Sequence, residues 1–509
     1  VGSEMCIRDR NICMKNKFLL SSLACISFYT TQAQPSSKLP NIIFILADDI
    51  GYADFSCYGA KTIATPHIDE LAANGIRFTN AYAPASTSSP SRYALLTGEY
   101  AFRKRVGILP ADAPLTIDPQ SNNLPLQLKS SGYTTGIVGK WHLGLGNRNE
   151  TVDFNKKITA GMRSVGFDYS YIFPATNDRV PTIFLENDQV VNGDPNDPIK
   201  VSYRKKIGNE PTGKENPDLL TLKYYQGHDG TIINGISRIG WMSGGHKARW
   251  NDQEMGEVLS NQAVSFIREN KQKPFFLYYA THNAHEPRVP NPKFAGQSKA
   301  GIYGDMIEEF DEYVGRIIET LKKEGIFENT LLIISSDNAP MIKEGYHDGA
   351  EENIGSHRPC ADLRGAKYSL YEGGTKVPFI VSYPSLVKKP FVQTQRFSYI
   401  DMLATVASIT QAKPYRNSLN DSKDASELFR SPSAPVYRDY IITQNNGGDI
   451  AIRKNDWKYI PSKNELFHLK KDPNEKINLS QTEKGKSIIN DLSSLIKNIA
   501  NKDIQDDIL

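Results

Sequence analysis

Two pairs of hard ligands stand directly behind apolar runs. Asp48-Asp49 follow Asn41–Ala47, and Asp337-Asn338 follow the run 331–335. Adjacent carboxylates repel unless something positive lies between them. Three carboxylates and an amide make an all-oxygen set that suits Ca²⁺ or Mg²⁺ better than Zn²⁺. A second kind of chemistry is offered by Ser88-Ser89-Pro90-Ser91-Arg92, ahead of Thr97-Gly98. A helix start is an anion site, and Arg92 adds a fixed cation to its first turn. Lys140 and His142 sit in Gly139-Lys140-Trp141-His142-Leu143-Gly144, His282 and His285 follow Phe275–Ala280, and Lys367 lies in Arg364-Gly365-Ala366-Lys367. Two lysines, an arginine and histidines around a divalent cation describe a site for a compact tetrahedral oxyanion, with acid and base groups at its sides.

The elements that must position these groups alternate. Asn41–Ala47, 134–138, Phe275–Ala280, 331–335 and 379–383 are short apolar or β-branched runs, which predict buried strands. Thr65-Pro66 and Gly75 bracket a helix over 67–74. Met306, Phe310, Tyr313, Ile317 and Leu321 recur at helical spacing and predict a long amphipathic helix. Strands alternating with helices imply an α/β fold with a large, mostly parallel sheet covered on both faces. Ligands gather at the carboxyl ends of such strands, where the polar clusters fall. Residues 185–260 break the rhythm and read as an insertion over the sheet's edge. After about residue 431 the character changes. Two short strands around a turn at 454–456, another over 465–469, and a final helix carrying Ile488, Ile489, Leu492, Leu495, Ile496 and Ile499 predict a small α+β subdomain with an antiparallel sheet over 431–509.

These residues together resemble the type I sulfatases of the alkaline phosphatase superfamily, over about 40–501. The most specific part is 88–98. It is similar to the family pattern of Cys or Ser, any residue, Pro, Ser and Arg, with Thr-Gly downstream; of the serines here, Ser88 has Pro at +2 and Arg at +4. The resemblance implies conversion of Ser88 to formylglycine by a serine-type radical maturase before export. It implies one Ca²⁺ held by Asp48, Asp49, Asp337, Asn338 and the modified Ser88. Arg92 would hold the formylglycine hydrate, Lys140 and Lys367 the sulfate oxygens, His142 would act as base in sulfate release, and His285, preferred to His282, would attend the leaving oxygen. The implied activity is sulfate-ester hydrolysis.

For the substrate, the insertion offers His228, Arg238, Trp241, His246, Arg249 and Trp250, and His357 and Arg358 precede Lys367. Aromatic rings and arginines on a loop near the crevice suit a sugar ring carrying a second anion. This region and 281–304 are similar to arylsulfatase A and galactosamine-6-sulfatase-like members, which points to desulfation of a galactose or N-acetylgalactosamine unit of a sulfated polysaccharide. A broad arylsulfatase, a phosphoesterase of the same superfamily, and a Ca²⁺-dependent glycan binder that does not turn over are the alternatives.

Composition narrows the classes. The 509 residues carry 60 basic and 57 acidic side chains, a net charge of +3, which argues against nucleic acid as the partner. Mean hydropathy is −0.45, against a polytopic membrane protein. Residues 1–33 read as an extension and signal peptide, with Met14 as start, Lys15 and Lys17 as basic flank, 18–28 as apolar stretch and a cut before Gln34. Export to the periplasm or medium follows, or lipid anchoring if Cys25 is a lipobox cysteine. The catalytic domain is expected over 38–430. Beyond the leader only Cys57 and Cys360 remain, so stability must come from the core; whether they pair is open at this level.

Overall fold

The computed structural model describes residues 39–415 and 421–505. The expected leader and Cys25 lie outside the described residues. A ten-stranded sheet runs through the molecule in the order Phe391–Gln393, Ile76–Phe78, Phe379–Ser382, Thr330–Ser336, Asn41–Ala47, Phe275–Ala280, Thr134–Lys140, Tyr169–Phe173, Leu185–Glu186, Gln189–Val190. The five strands from Thr330–Ser336 to Tyr169–Phe173 are mutually parallel. Register aligns their carboxyl ends: Leu46 faces both Ser335 and Ala280, Ala280 faces Gly139, and Lys140 faces Phe173.

Strand Asn41–Ala47 shows why the sheet is central. Ile42, Phe44 and Leu46 enter one apolar core, while Ile43, Ile45 and Ala47 enter the other. Alternate side chains face opposite sides, so an unbroken apolar run needs cover on both. Helices Met255–Asn270 and Gly301–Lys323 cover one face through Leu259, Phe266, Met306, Phe310 and Ile317. Helices Ser88–Thr97, Leu124–Ser130 and Met402–Thr410 cover the other.

Some expectations need amendment. Phe379–Ser382 runs antiparallel to both Thr330–Ser336 and Ile76–Phe78, so one apolar strand reverses the sheet's direction. Thr134–Lys140 extends two residues beyond the expected strand, making Lys140 its last residue. Tyr169–Phe173, with Ser170 as its second residue, carries no β-branched run and escaped the sequence pattern. The insertion forms small antiparallel pairs, Lys200–Ser202 with Trp241–Ser243 and Ile232–Ile233 with Ile236–Ser237. The C-terminal sheet has four antiparallel strands, Tyr440–Gln444, Ile450–Lys454, Trp457–Ile460 and Glu465–His468; the first was not expected. Helix Glu483–Gln505 packs Leu492 and Ile499 on its Ile442, Ile452 and Leu466. Cys57 and Cys360 are both free thiols.

Candidate active site

The parallel strands deliver one cluster. Their carboxyl ends carry Asp337-Asn338, Asp48-Asp49, His282 to His285, Lys140 to His142, and Asn177-Asp178. Gly139 makes the approach possible: its φ is +106°, and a Cβ there would meet the Ala280 carbonyl oxygen at 1.8 Å. Helix Ser88–Thr97 points its first turn at the same place, and Ser88 and Arg92 are buried.

At the centre, Lys140 Nζ donates to Ser88 Oγ at 2.9 Å and to both Asp48 oxygens at 2.8 and 2.7 Å. Ser88 Oγ lies 3.4 Å from Asp48 Oδ1. Arg92 donates through Nε and a terminal nitrogen to Asp337 Oδ2, at 3.2 and 2.8 Å. Lys367 Nζ donates to Asp49 Oδ2 at 2.8 Å. Asn338 Nδ2 donates to Asp49 Oδ1 at 2.6 Å. Asp49 and His142 have left-handed backbones, φ 57° and 51°, a conformation costing of order 1–3 kcal/mol that concentrates at functional sites.

The donor set fits a hard divalent cation. Asp48, Asp49 and Asp337 each present an oxygen within 4.8 Å of the others, all buried. Asn338 Oδ1 is buried without a hydrogen-bond partner. Burial first, then the neighbouring Asp337, pushes the Asp48 carboxyl up to about 8 despite Lys140 and Arg92. Against its own burial cost, Arg92 and then Lys140 hold Asp337 well below the usual carboxylate range. A cation on these oxygens would remove the repulsion and give Asn338 Oδ1 a partner.

Burial disfavours the charged form of the three histidines at the strand ends, His142, His282 and His285. His142 Nε2 meets the Leu109 carbonyl at 3.1 Å. A carbonyl only accepts, so Nε2 carries the proton and Nδ1, buried without a partner, keeps a free lone pair. Burial, then Lys140, holds His142 well below its ordinary value. His285 Nδ1 is spent on Glu286 O at 2.6 Å and Asn177 Oδ1 at 3.1 Å, leaving Nε2 3.9 Å from Asp49 Oδ2. Burial, then Lys367 and Lys140, lowers His285 to about 3. His282 is buried too and lowered to about 4 by burial.

The residues expected at the sugar divide. His228 reaches the edge of the cluster, with Nε2 3.1 Å from Asp178 Oδ2, while Asp178 Oδ1 is buried without a hydrogen-bond partner, 3.9 Å from Arg179 Nε. Arg238 is sealed from solvent and spends its guanidinium on Asn177 O at 2.6 Å and Asp252 at 2.7 Å. Trp241 is half-buried in its small sheet. His357 is held under the Asp49 turn by Asp54, 2.6 Å away, which also takes the Tyr303 hydroxyl. Arg358 is exposed and paired with Asp362. Sequence reasoning missed Asn177, Asp178 and Glu344. Asn177-Asp178 follow the overlooked strand Tyr169–Phe173, and Glu344 has only a loop around it.

A buried serine at a helix start, among carboxylates and fixed cations at the ends of parallel strands, fits an ester hydrolase of the alkaline-phosphatase-like fold with an acidic cluster that could bind a metal ion. The chain belongs to the sulfatase family: the family model Sulfatase matches residues 40–412. It is a sulfuric ester hydrolase. Among its relatives, an N-acetylgalactosamine-6-O-sulfatase of Bacteroides thetaiotaomicron is 45% identical, covering 91% of this chain and 94% of the relative. Human arylsulfatase A is 28% identical over 83% of this chain and 75% of its own. A solved structure from work on the metabolism of multiple glycosaminoglycans by Bacteroides thetaiotaomicron superposes with a TM-score of 0.88 at 45% identity, over 92% of this chain and 100% of that one.

Proposed function

We propose that this sulfatase removes the 6-sulfate of N-acetylgalactosamine units from a glycosaminoglycan, using Ser88 converted to formylglycine and one Ca²⁺. The observation that carries the chemistry is Ser88 Oγ on Lys140 and Asp48 at the buried start of its helix. The identity of 45% to the N-acetylgalactosamine-6-O-sulfatase supports the sugar.

Asp48, Asp49, Asp337 and Asn338 would hold Ca²⁺, which supplies Lewis-acid activation and charge neutralisation. The hydrated aldehyde at residue 88 supplies a nucleophile with a second hydroxyl for releasing sulfate, an exit that an unmodified serine lacks. Arg92 holds the residue-88 oxygens, being rigid through its Asp337 pair. Lys140 and Lys367 bind the sulfate oxygens, where charge builds in the transition state. His142 Nδ1 is free to take a proton during sulfate release. His285 presents Nε2 to the leaving oxygen; an incoming anion offsets Lys367 and Lys140, which raises the ring toward protonation. Asp178 Oδ1, buried beside His228 without a hydrogen-bond partner and 3.9 Å from Arg179 Nε, is placed to accept from a sugar hydroxyl. Export and a serine-type maturase belong to the same reading.

Mass spectrometry of the tryptic peptide 78–92, from protein made with such a maturase, is the test. A mass two hydrogens lower at Ser88, with sulfate release from N-acetylgalactosamine 6-sulfate, is expected. An unmodified Ser88 under those conditions overturns the mechanism and favours the glycan-binding alternative.

A further inference from the structure

Glu344 is an anion at the mouth of a site that receives an anion. Its Oε2 accepts from Lys367 Nζ at 2.8 Å, and the same ammonium reaches Asp49 Oδ2 at 2.8 Å. Its other oxygen accepts from the Tyr368 hydroxyl. Asp49, His285 and Glu344 each present an atom within 4.8 Å of the others. Lys367 stands between the two carboxylates, so an ammonium already balances them where a second metal would sit. The Glu344 side chain is 21% exposed, against 4% for Lys367 and 1% for Asp49. Of these three side chains it is the most open to solvent.

The position is fixed from behind. The backbone N–H groups of Glu344 and Tyr346 donate to Glu286 at 3.0 and 2.9 Å, and that of Gly345 donates to the same carboxylate. Arg288 ties Glu286 to Asp348. Against burial, Lys367 keeps Glu344 below its ordinary value, so it is charged at neutral pH.

A fixed negative charge here weakens every sulfated substrate, unless it also discriminates among them. We propose that Glu344 is a specificity-determining residue that admits sugars with an uncharged hydroxyl beside the cleaved sulfate ester and rejects those with a second sulfate there. The hydroxyl can donate to the carboxylate; a sulfate can only repel it. Glu344 stands within 4.8 Å of His285, on the leaving-oxygen side where the sugar must lie. The inference rests on the roles proposed above for Lys367 and His285.

The test compares kcat/KM for N-acetylgalactosamine 6-sulfate and its 4,6-disulfate in the mature wild-type enzyme and in Glu344→Gln, Glu344→Ala and Glu344→Asp. Wild type and Glu344→Asp should prefer the monosulfate by about tenfold or more. The two neutral variants should approach parity by gaining on the disulfate. Wild type accepting both equally, or a folded neutral variant keeping the ratio, overturns the inference while leaving the sulfatase reading intact. Wild type inactive on both overturns the substrate reading itself, and this inference with it.

Discussion

At the scale of single residues, the site is a lattice of buried charges whose members hold one another. Lys140 joins Ser88 to the carboxylate cluster: its ammonium spans Ser88 Oγ and both Asp48 oxygens. In the proposed mechanism its removal takes a cation from the sulfate, and it leaves Asp48 buried beside Asp337 with only Arg92, 3.6 Å away, as counter-charge. Lys140→Ala should lower kcat roughly 100–1,000-fold, the cost of one transition-state donor. It should also destabilise the fold by about 3–5 kcal/mol, the usual result of orphaning a buried charge. The proposed Ca²⁺ would restore positive charge at those oxygens, so the melting temperature of the variant should depend on Ca²⁺ more steeply than that of wild type. Steady-state kinetics, and melts with and without chelator, check both halves.

Helices hold the strands that hold the residues, and helix Gly301–Lys323 does so at a cost. Its buried face includes Glu309, which accepts from Tyr313 at 2.7 Å and is raised to about 7 by burial. A carboxyl with a folded pKa above its unfolded value contributes stability that is full below about 4.5 and is lost as pH rises through 7. Between pH 5 and 8 the wild type should therefore lose about 2.5 kcal/mol relative to Glu309→Gln, which has no proton to lose. Chemical denaturation of both proteins at the two pH values measures the difference; parallel curves would show that Glu309 titrates normally.

The whole molecule shows why the small C-terminal sheet is there. Lys367 rides on a loop that this sheet clasps. Arg364 stacks 3.8 Å over Tyr371 and donates to Glu475 O, and Tyr371 donates to Glu465. Behind them Glu372 takes Lys458 at 3.0 Å, Arg453 at 3.1 Å and the Tyr82 hydroxyl at 2.5 Å. Against burial, Lys458 and Arg453 hold Glu372 below the usual range. Its contribution is therefore present above the ordinary carboxylate pKa and lost as pH falls below it. Glu372→Gln should destabilise by about 3–5 kcal/mol near neutral pH. It should also raise KM for sulfated substrate, because Lys367 loses its anchored base. A variant with unchanged KM would separate the sheet from the site.

The sequence by itself determined the family and the central strands. Ser88-x-Pro90-x-Arg92 and the carboxylates after Asn41–Ala47 are local patterns, and a run of six apolar residues rich in β-branched side chains reads as a strand covered on both faces. The long helix was equally legible, because its apolar period outlasts any accident of composition. Tertiary structure alone decided what stands beside those groups. Tyr169–Phe173 is a strand because Thr134–Lys140 offers it an edge, and it brings Asn177 to His285. Arg238 and His357, polar residues on irregular segments, turn inward because Asp252 and Asp54 await them there. Glu344 meets Lys367 across a loop that Glu286 closes. Such meetings depend on contacts between distant segments, and no local periodicity encodes them.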